Sequence, residues 1–471
     1  MIDLIQTNQE KILLRDVRVL DVSGSALSNP TDVFIVNGII DDLDSHCPTH
    51  DCHIIECGGL TLAPGLIDCH CHILSPFVAE QSGIFGAWAL RQIKLNLKST
   101  LASGVVCVRD MLSPIKIMNH YRRAITSGRL PGPRILASGP ILTCRGGYPE
   151  FVKPVPAIAA AFIGQPRINI ETPDRAAAAI INQKKHGINV VKVAYTILNT
   201  KMEREKRMPT ISKKTLDAIC ETSHAIGLKV SVHHFCADDL PEILCCDIDS
   251  VEHLPCDREF TGEEVEFIRR SGVTVVPTLT ISESAVRYEE KTGFLNSERA
   301  AEMFEPRVLQ YLKLLADTWL DFSDPEYLLS FGATRGKRGN HRNLLRNAAR
   351  LCEAGVKFCA GTDMGAVISF PGETADESLR LNHIGMSKIE AIRAVTLEAA
   401  KLLGIDDKIG SVEPGKDADV ILIEGNPLED LVALKRVRII GKGGRWYRSK
   451  YSDPLDFWPG FGPLMEYRDD K

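Results

Sequence analysis

Polar residues stranded at the ends of apolar runs are the part of this sequence that could do chemistry. His70 and His72 alternate in "DCHCH", and a strand period of two sends both side chains to one face. Two imidazoles on one face are a metal-ligand geometry. Lys192 lies in "NVVKVAY", among valines, where a bare ammonium is costly to bury. Such a lysine can be a neutral amine, can pair with an acid, or can carry a CO2-derived carbamate that ligates metal as an anion. Asp110 ends "VVCVRD", His233 follows "LKVSV", His253 follows "DSVE" and Asp363 ends "VKFCAGTD". Imidazole nitrogens with carboxylate oxygens suit zinc or a similar divalent ion. Any one of these histidines alone reads as a hydrogen-bonded core residue, and a lone Asp after a strand as a turn former or helix cap. Four histidines and an aspartate at separate strand ends argue instead for one rim and one metal site.

The elements that must position them follow from the surrounding rhythm. Beginning with "GLIDCHCHI", apolar strand candidates alternate with helical stretches through "GVVCVRD", "GPRILASG", "GINVVKVAY", "GLKVSVHH", "IDSVEHL", "GVTVVPTLT" and "GVKFCAGTD". Eight such strands are the number that closes a (β/α)8 barrel, a TIM barrel, over residues 65–403. Short strands broken by Asn, Gly, Asp and Pro fill residues 1–64, and strands with glycine turns return in 404–450. The fold class expected is therefore α/β, with a small β-sandwich domain built from both termini. Between the strands at 274–279 and 356–360 lie about eighty residues, more than a barrel crossover needs. This insertion, about 280–350, reads as helix, mobile segment, helix, and with the 74–89 connection it is a lid candidate. The tail 451–471 has Pro, Gly and aromatics without periodicity.

Composition bounds the function. The chain has 471 residues, 44% hydrophobic and 25% charged, enough for a large core, which excludes disorder as a main theme. Lys and Arg total 56 against 61 Asp and Glu, a net charge of -5 without long runs of either sign, so neither a nucleic-acid nor an anionic-membrane partner is expected. No segment has the roughly 18 to 20 apolar residues of a membrane span, and the N-terminus lacks a signal-peptide pattern. Fourteen scattered cysteines read as reduced thiols in a cytoplasmic compartment.

The runs "LAPGLIDCHCHI", "VRD", "GPRILASG", "VVKVAY", "VHH", "DSVEH", "AGTDMG" and "GMSKIEAIRAVTLEAAKLLGIDDKIGSVEPGKDADVILIEGNPLEDL" together resemble the amidohydrolase superfamily. The likeness is greatest to its metal-dependent branch of prolidase-type dipeptidases, imidazolonepropionase-like proteins and ochratoxin-hydrolysing enzymes, and it spans nearly the whole chain. The resemblance implies two divalent metal ions, zinc by preference. His70 and His72 would bind the more buried ion with Asp363, His233 and His253 would hold the second, and a carboxylated Lys192 would bridge both. It also implies a hydroxide between the ions that attacks the scissile carbonyl, with Asp363 taking the proton and handing it to the departing amine.

Departures from the pattern bear on substrate. Relatives often carry "GGH" where this chain has "CRGGYPE", so Tyr148 replaces a substrate-facing histidine and can still donate a hydrogen bond. Arg145 could meet a substrate carboxylate in a bidentate contact, or be solvent-facing loop. Tyr195 could line the pocket or be a buried structural tyrosine. His234, next to His233, is expected to point away from the site, and Glu377 resembles a family acid that caps the site loop. The implied activity is metal-dependent hydrolysis of an amide C–N bond in a small substrate such as an N-acyl amino acid or dipeptide. The alternatives are a lactonase or other C–O hydrolase, a decarboxylase, a deaminase, or a non-catalytic metal-binding protein. The small-molecule substrate is the expected partner, together with a second copy of the chain. Oligomers are common among relatives, and Phe457, Trp458 and Phe461 could pack on a neighbour or on their own barrel.

Overall fold

The computed structural model describes residues 1–6, 11–43, 52–74, 87–150, 152, 154–197, 207–286, 293–320, 338–366 and 369–450. Residues 75–86 of the first lid candidate, 287–292 and 321–337 of the long insertion, and the aromatic tail expected at an oligomer contact lie outside the described residues.

The apolar runs around the candidate ligands form strands at Leu66–Cys71, Val105–Asp110, Val190–Ala194, Lys229–His233 and Ser250–Glu252. All their residues except Lys229 are buried, or nearly so at that one end. That continuity is what a parallel strand covered on both faces requires. The parallel strands fall into two sheets. One has three strands, in the order Arg134–Ala137, Val105–Asp110, Leu66–Cys71. The other has seven, in the order Arg167–Asn169, Ile141–Thr143, Val190–Ala194, Lys229–His233, Ser250–Glu252, Thr274–Val276, Lys357–Phe358.

The single unbroken cylinder expected from eight strand candidates is thus seen as two ladders with two seams, one of them at a local turn. "GPRILASG" ends its strand at Ala137, Gly139 turns the chain at φ +70°, and a further short strand Ile141–Thr143 follows in the other sheet. Backbone hydrogen bonds cross both seams. Asn189 N donates to Ala137 O at 2.9 Å, Cys69 N to Ala360 O at 2.9 Å, and Asp363 N to His70 O at 2.8 Å.

Strands from both ends of the chain share one ten-stranded sheet. Its path runs Ile2–Gln6, Arg445–Ser449, Val437–Lys442, Val420–Ile423, Thr61–Pro64, Lys11–Asp21, Thr31–Val36, Ile39–Asp42. It packs a core of its own that includes Leu14, Val17, Ile35, Leu62, Leu422 and Trp446.

Helices cover the parallel strands where capping and apolar spacing coincide. Gly262–Ser271 begins with Thr261 and Glu264 exchanging hydrogen bonds as a capping box and ends at Gly272 with φ +70°, which satisfies exposed backbone groups at both ends. The insertion contributes helices Leu279–Val286, Glu298–Met303, Pro306–Leu320 and Arg338–Glu353, in agreement with the helical periodicity read there.

Candidate metal centre

Parallel register sets the level of each group. Lys192 lies opposite Ser231, which lies opposite Ser250; one layer further on, Ala194, His233 and Glu252 are in register. Register partners in a parallel sheet point to the same side, and so do residues two apart on one strand. Lys192, Ser231, His233, Ser250 and Glu252 therefore share the interior face.

His253 follows Glu252 directly and by parity would face the other way. Its backbone has φ +73°, a conformation uncommon outside glycine and enriched at functional sites. That turn brings its ring to 4.6 Å from His233 and 4.8 Å from His70, between centroids. Thr278, also left-handed at φ +51°, fixes the imidazole through a 2.7 Å contact between Oγ1 and His253 Nδ1. Asp363, at φ +55°, completes the group. Its Oδ1 is 3.0 Å from His72 Nε2 and 3.4 Å from His70 Nε2, yet has hydrogen-bond geometry to neither. Ligand atoms of His70, His72 and Asp363 all lie within 4.8 Å of one another.

Two features of the chain make the approach of Asp363 possible. Gly361 sits so close to the first strand that a Cβ there would be 2.7 Å from His70 Cβ and 2.6 Å from Val276 Cγ1. Asp68 then ties the two segments together: its carboxylate accepts from His70 N at 3.0 Å, Thr362 N at 3.1 Å, Thr362 Oγ1 at 2.6 Å and Thr374 Oγ1 at 3.1 Å.

The electrostatics fit a cation. Burial pushes His70, His233 and His253 well below the ordinary imidazole value, with neighbouring positive groups adding to the effect, so their nitrogens keep lone pairs to donate. Burial, only partly offset by the charge of Glu252, brings the Lys192 amine down to about 8. Burial pushes Glu252 up, but Arg109 and Lys192 outweigh it and hold the carboxyl below its usual range. Lys192 Nζ, His233 Nε2 and Asp363 Oδ1 are all buried without a hydrogen-bond partner. Buried polar atoms normally have partners, and these three belong to the residues expected to share metal ions. The donor set therefore fits divalent cations.

The remaining predicted residues fall at different distances from this group. Tyr148 stacks on His233, with ring centroids 4.5 Å apart and planes 5° from parallel, and Phe235 meets both rings edge-on. The turn that delivers Tyr148 needs its glycines: Gly146 has φ +75°, and a Cβ on Gly147 would be 2.8 Å from Thr143 Oγ1 and 2.9 Å from Pro209 O. Arg145, on the same turn, is exposed. Tyr195 is buried with its hydroxyl engaged by Glu242 and Thr210, the arrangement of a structural tyrosine. Asp110 is buried and accepts from Ile73 N at 2.8 Å, but it does not join the His70, His72, Asp363 group. His234 is fully buried, and neither of its ring nitrogens has a hydrogen-bond partner. Glu377 does cap the site loop: it accepts from Leu279 N at 2.8 Å and Thr280 N at 2.7 Å, where helix Leu279–Val286 starts beside Thr278.

The Amidohydrolase family model matches residues 61–446. The chain belongs to the amidohydrolase family. It is accordingly a hydrolytic enzyme acting on C–N bonds. Among curated proteins the amidohydrolase is similar to an uncharacterised protein of Mycobacterium tuberculosis, 26% identical over 83% of this chain and 87% of that one. It is also similar to an ochratoxinase of Aspergillus niger, 24% identical over 86% of this chain and 77% of that one. Among solved structures, a Xaa-Pro dipeptidase with bound methionine in the active site matches with TM-score 0.68 at 24% identity, over 93% of this chain and 100% of that chain. No helix among the described residues is long and apolar enough to cross a membrane.

Proposed function

We propose that the amidohydrolase cleaves an amide bond of a small substrate, such as an N-acyl amino acid or dipeptide, at a binuclear divalent centre. Eight of the ten strands in the two parallel ladders, all but Ile141–Thr143 and Arg167–Asn169, are read as one barrel carrying that centre at its rim, and the two-termini sheet as a small separate domain. The observation that carries the reading is the convergence of four imidazoles, a lysine and an aspartate, with Lys192 Nζ, His233 Nε2 and Asp363 Oδ1 buried and unsatisfied. His70, His72 and Asp363 would hold one ion, His233 and His253 the other, and Lys192 as a carbamate would serve both. Zinc suits this mix of imidazole nitrogen and carboxylate oxygen. When bound, the ions supply Lewis-acid polarisation of the carbonyl and a water acidic enough to attack near neutral pH.

The chain's own residues do the rest. The neutral histidines keep lone pairs directed into the cluster, and the lowered proton affinity of the Lys192 amine raises the share of free amine that can add CO2. Asp363 has 13% of its side chain exposed against 1% for His70 and 23% for His72, so it is within reach of both the cluster and solvent. It is the group placed to accept the proton of the attacking water and return it to the leaving nitrogen. Burial, helped by Asp363 and Glu150, raises the Tyr148 phenol above its ordinary value, so the hydroxyl stays a donor that can orient a substrate carbonyl. The absence of disulfides among the described cysteines is consistent with the cytoplasmic compartment we propose.

The test is metal content per chain by elemental analysis of protein purified without chelator, joined to a turnover screen of N-acyl amino acids, dipeptides, aryl amides and lactones. Two ions per chain and amide turnover abolished by Asp363→Asn are expected. Lactone turnover without amide turnover would reassign the bond, and a chain that takes up no divalent ion would remove the mechanism.

A further inference from the structure

Beneath the candidate ligands lies a buried polar group that the hydrolytic reading does not use. His70 Nδ1 is 2.6 Å from Glu252 Oε2. Glu252 Oε1 accepts from Arg109 Nη2 at 2.7 Å and from Ser250 Oγ at 2.7 Å. Arg109 also donates through Nη1 to Ser231 Oγ at 2.7 Å and Ser250 Oγ at 3.3 Å, and through Nε to Cys69 O. Every side chain in this set is buried.

A guanidinium and a carboxylate fully out of water carry a large desolvation cost, and an apolar pair of similar volume would be at least as stable. Their geometry gives a reason for keeping them. An ionised carboxylate can only accept hydrogen bonds, so Glu252 requires the proton of His70 to sit on Nδ1. That leaves the Nε2 lone pair facing Asp363 Oδ1, 3.4 Å away, which is the side on which an ion would be held. Arg109 in turn fixes Glu252. Its fork reaches the first strand at Cys69, the Lys229–His233 strand at Ser231 and the Ser250–Glu252 strand at Ser250 and Glu252, so it sets the carboxylate from three strands at once.

We propose that Arg109 and Glu252 are a positioning pair, acting through His70, that locks the imidazole in the tautomer and orientation needed to ligate metal. The proposal rests on the metal-centre reading. It extends the site downward from the rim, through a carboxylate, to a guanidinium that touches neither ion nor substrate. Outer partners of this kind change metal affinity by roughly ten- to a hundredfold when removed.

The test is chelator-competition measurement of the affinity for Zn2+, with the visible absorption of the Co2+-substituted protein as a second readout, on full-length wild type, Glu252→Gln, Arg109→Met and the double variant. Thermal unfolding is followed in parallel. Glu252→Gln keeps the shape but loses the charge, and should weaken the first equivalent of Zn2+ by roughly tenfold or more with an altered Co2+ band. Arg109→Met should do the same in the wild-type background and add little in Glu252→Gln, because it acts through that carboxylate. Should Arg109→Met fail to fold, Ser250→Ala, which removes one of the two donors to Glu252 Oε1, should give a smaller shift in the same direction. Unchanged affinity in Glu252→Gln, or independent multiplicative losses in the double variant, would overturn the positioning pair while leaving the metal centre intact. Wild type that takes up no Zn2+ or Co2+ would overturn the metal centre, and the pair with it.

Discussion

Lys192 shows how far a residue's chemistry depends on where the chain places it. An ordinary lysine amine titrates near 10.5, but burial brings this one to about 8. Between those two values the unfolded chain binds more protons than the folded one, so the stability of metal-free protein rises with pH across that window. Below pH 8 the buried ammonium costs about 3 kcal/mol relative to an unshifted lysine. Metal-free Lys192→Met, with similar volume and no charge, should therefore melt higher than metal-free wild type at pH 7. The gap should narrow to about 1 kcal/mol by pH 10, a comparison that needs only thermal unfolding of chelator-treated protein at the two pH values. A gap that does not change with pH would contradict the burial argument. Tyr148 offers the opposite kind of test. Tyr148→Phe keeps the ring stacked on His233, so metal content should hold while kcat/KM falls about tenfold with the lost hydrogen bond. Most of the proposed ligand set was named from sequence because strand parity and strand ends are visible there, as with His70 and His72. Glu252 and Arg109 could not. Glu252 adjoins His253, and parity alone puts the two on opposite faces; only the left-handed backbone at His253 turns both inward, and nothing in a histidine's identity announces that.

At the scale of elements, the site depends on how closely the chain after the last parallel strand approaches the first. Gly361 is the point of closest approach, with His70 N and Cβ and a Val276 methyl all inside 3.0 Å of where a Cβ would lie. Backbone and a ligand's own Cβ cannot move aside cheaply. Gly361→Ala should cost about 1–3 kcal/mol, seen as a lower urea midpoint, and should also weaken metal uptake because the displaced segment carries Asp363. Gly272→Ala provides the comparison, since nothing lies within 4 Å of its Cβ. It should lose stability through its φ of +70° at a helix end, and leave metal uptake unchanged. Equal metal losses in both would mean that the effect is global. The alternating strands and helices, the long helical insertion and the return to strands after residue 403 were legible because periodicity and turn residues mark them. The division of the parallel strands into two ladders was not: one seam lies at the turn at Gly139, and the other lies between Leu66–Cys71 and the chain after Lys357–Phe358.

Over the whole molecule, the parallel strands and the sheet built from both termini are joined by a small charged cluster as well as by apolar packing. Asp419, fully buried, is 3.0 Å from Lys442 Nζ and 3.3 Å from Arg134 Nη2. Arg134 belongs to the three-stranded parallel sheet, and Lys442 to the strand Val437–Lys442 of the ten-stranded one. The same residue's backbone oxygen accepts from Gly65 N at 3.0 Å, where the chain passes from the terminal sheet into the first parallel strand, and its Oδ1 accepts from Gly443 N at 3.0 Å. One residue, through its backbone oxygen and its carboxylate, therefore orders the junction that aims "GLIDCHCH" at the site. Burial pushes the Asp419 carboxyl up, but Lys442 and Arg134 outweigh it and leave it below its ordinary value. The stabilisation it provides is thus complete above about pH 4 and is lost only as pH falls through the lower folded value. Asp419→Asn removes the counter-charge from the largely buried Lys442 and one of the two acids that face Arg134, which keeps Asp417, and should cost about 3 kcal/mol. Urea unfolding should show the same deficit at pH 5 and pH 8, and a smaller one only under stronger acid. A deficit that disappears between pH 8 and pH 5 would mean that the carboxylate is not held by its cationic neighbours, and that apolar packing alone joins the two sheets.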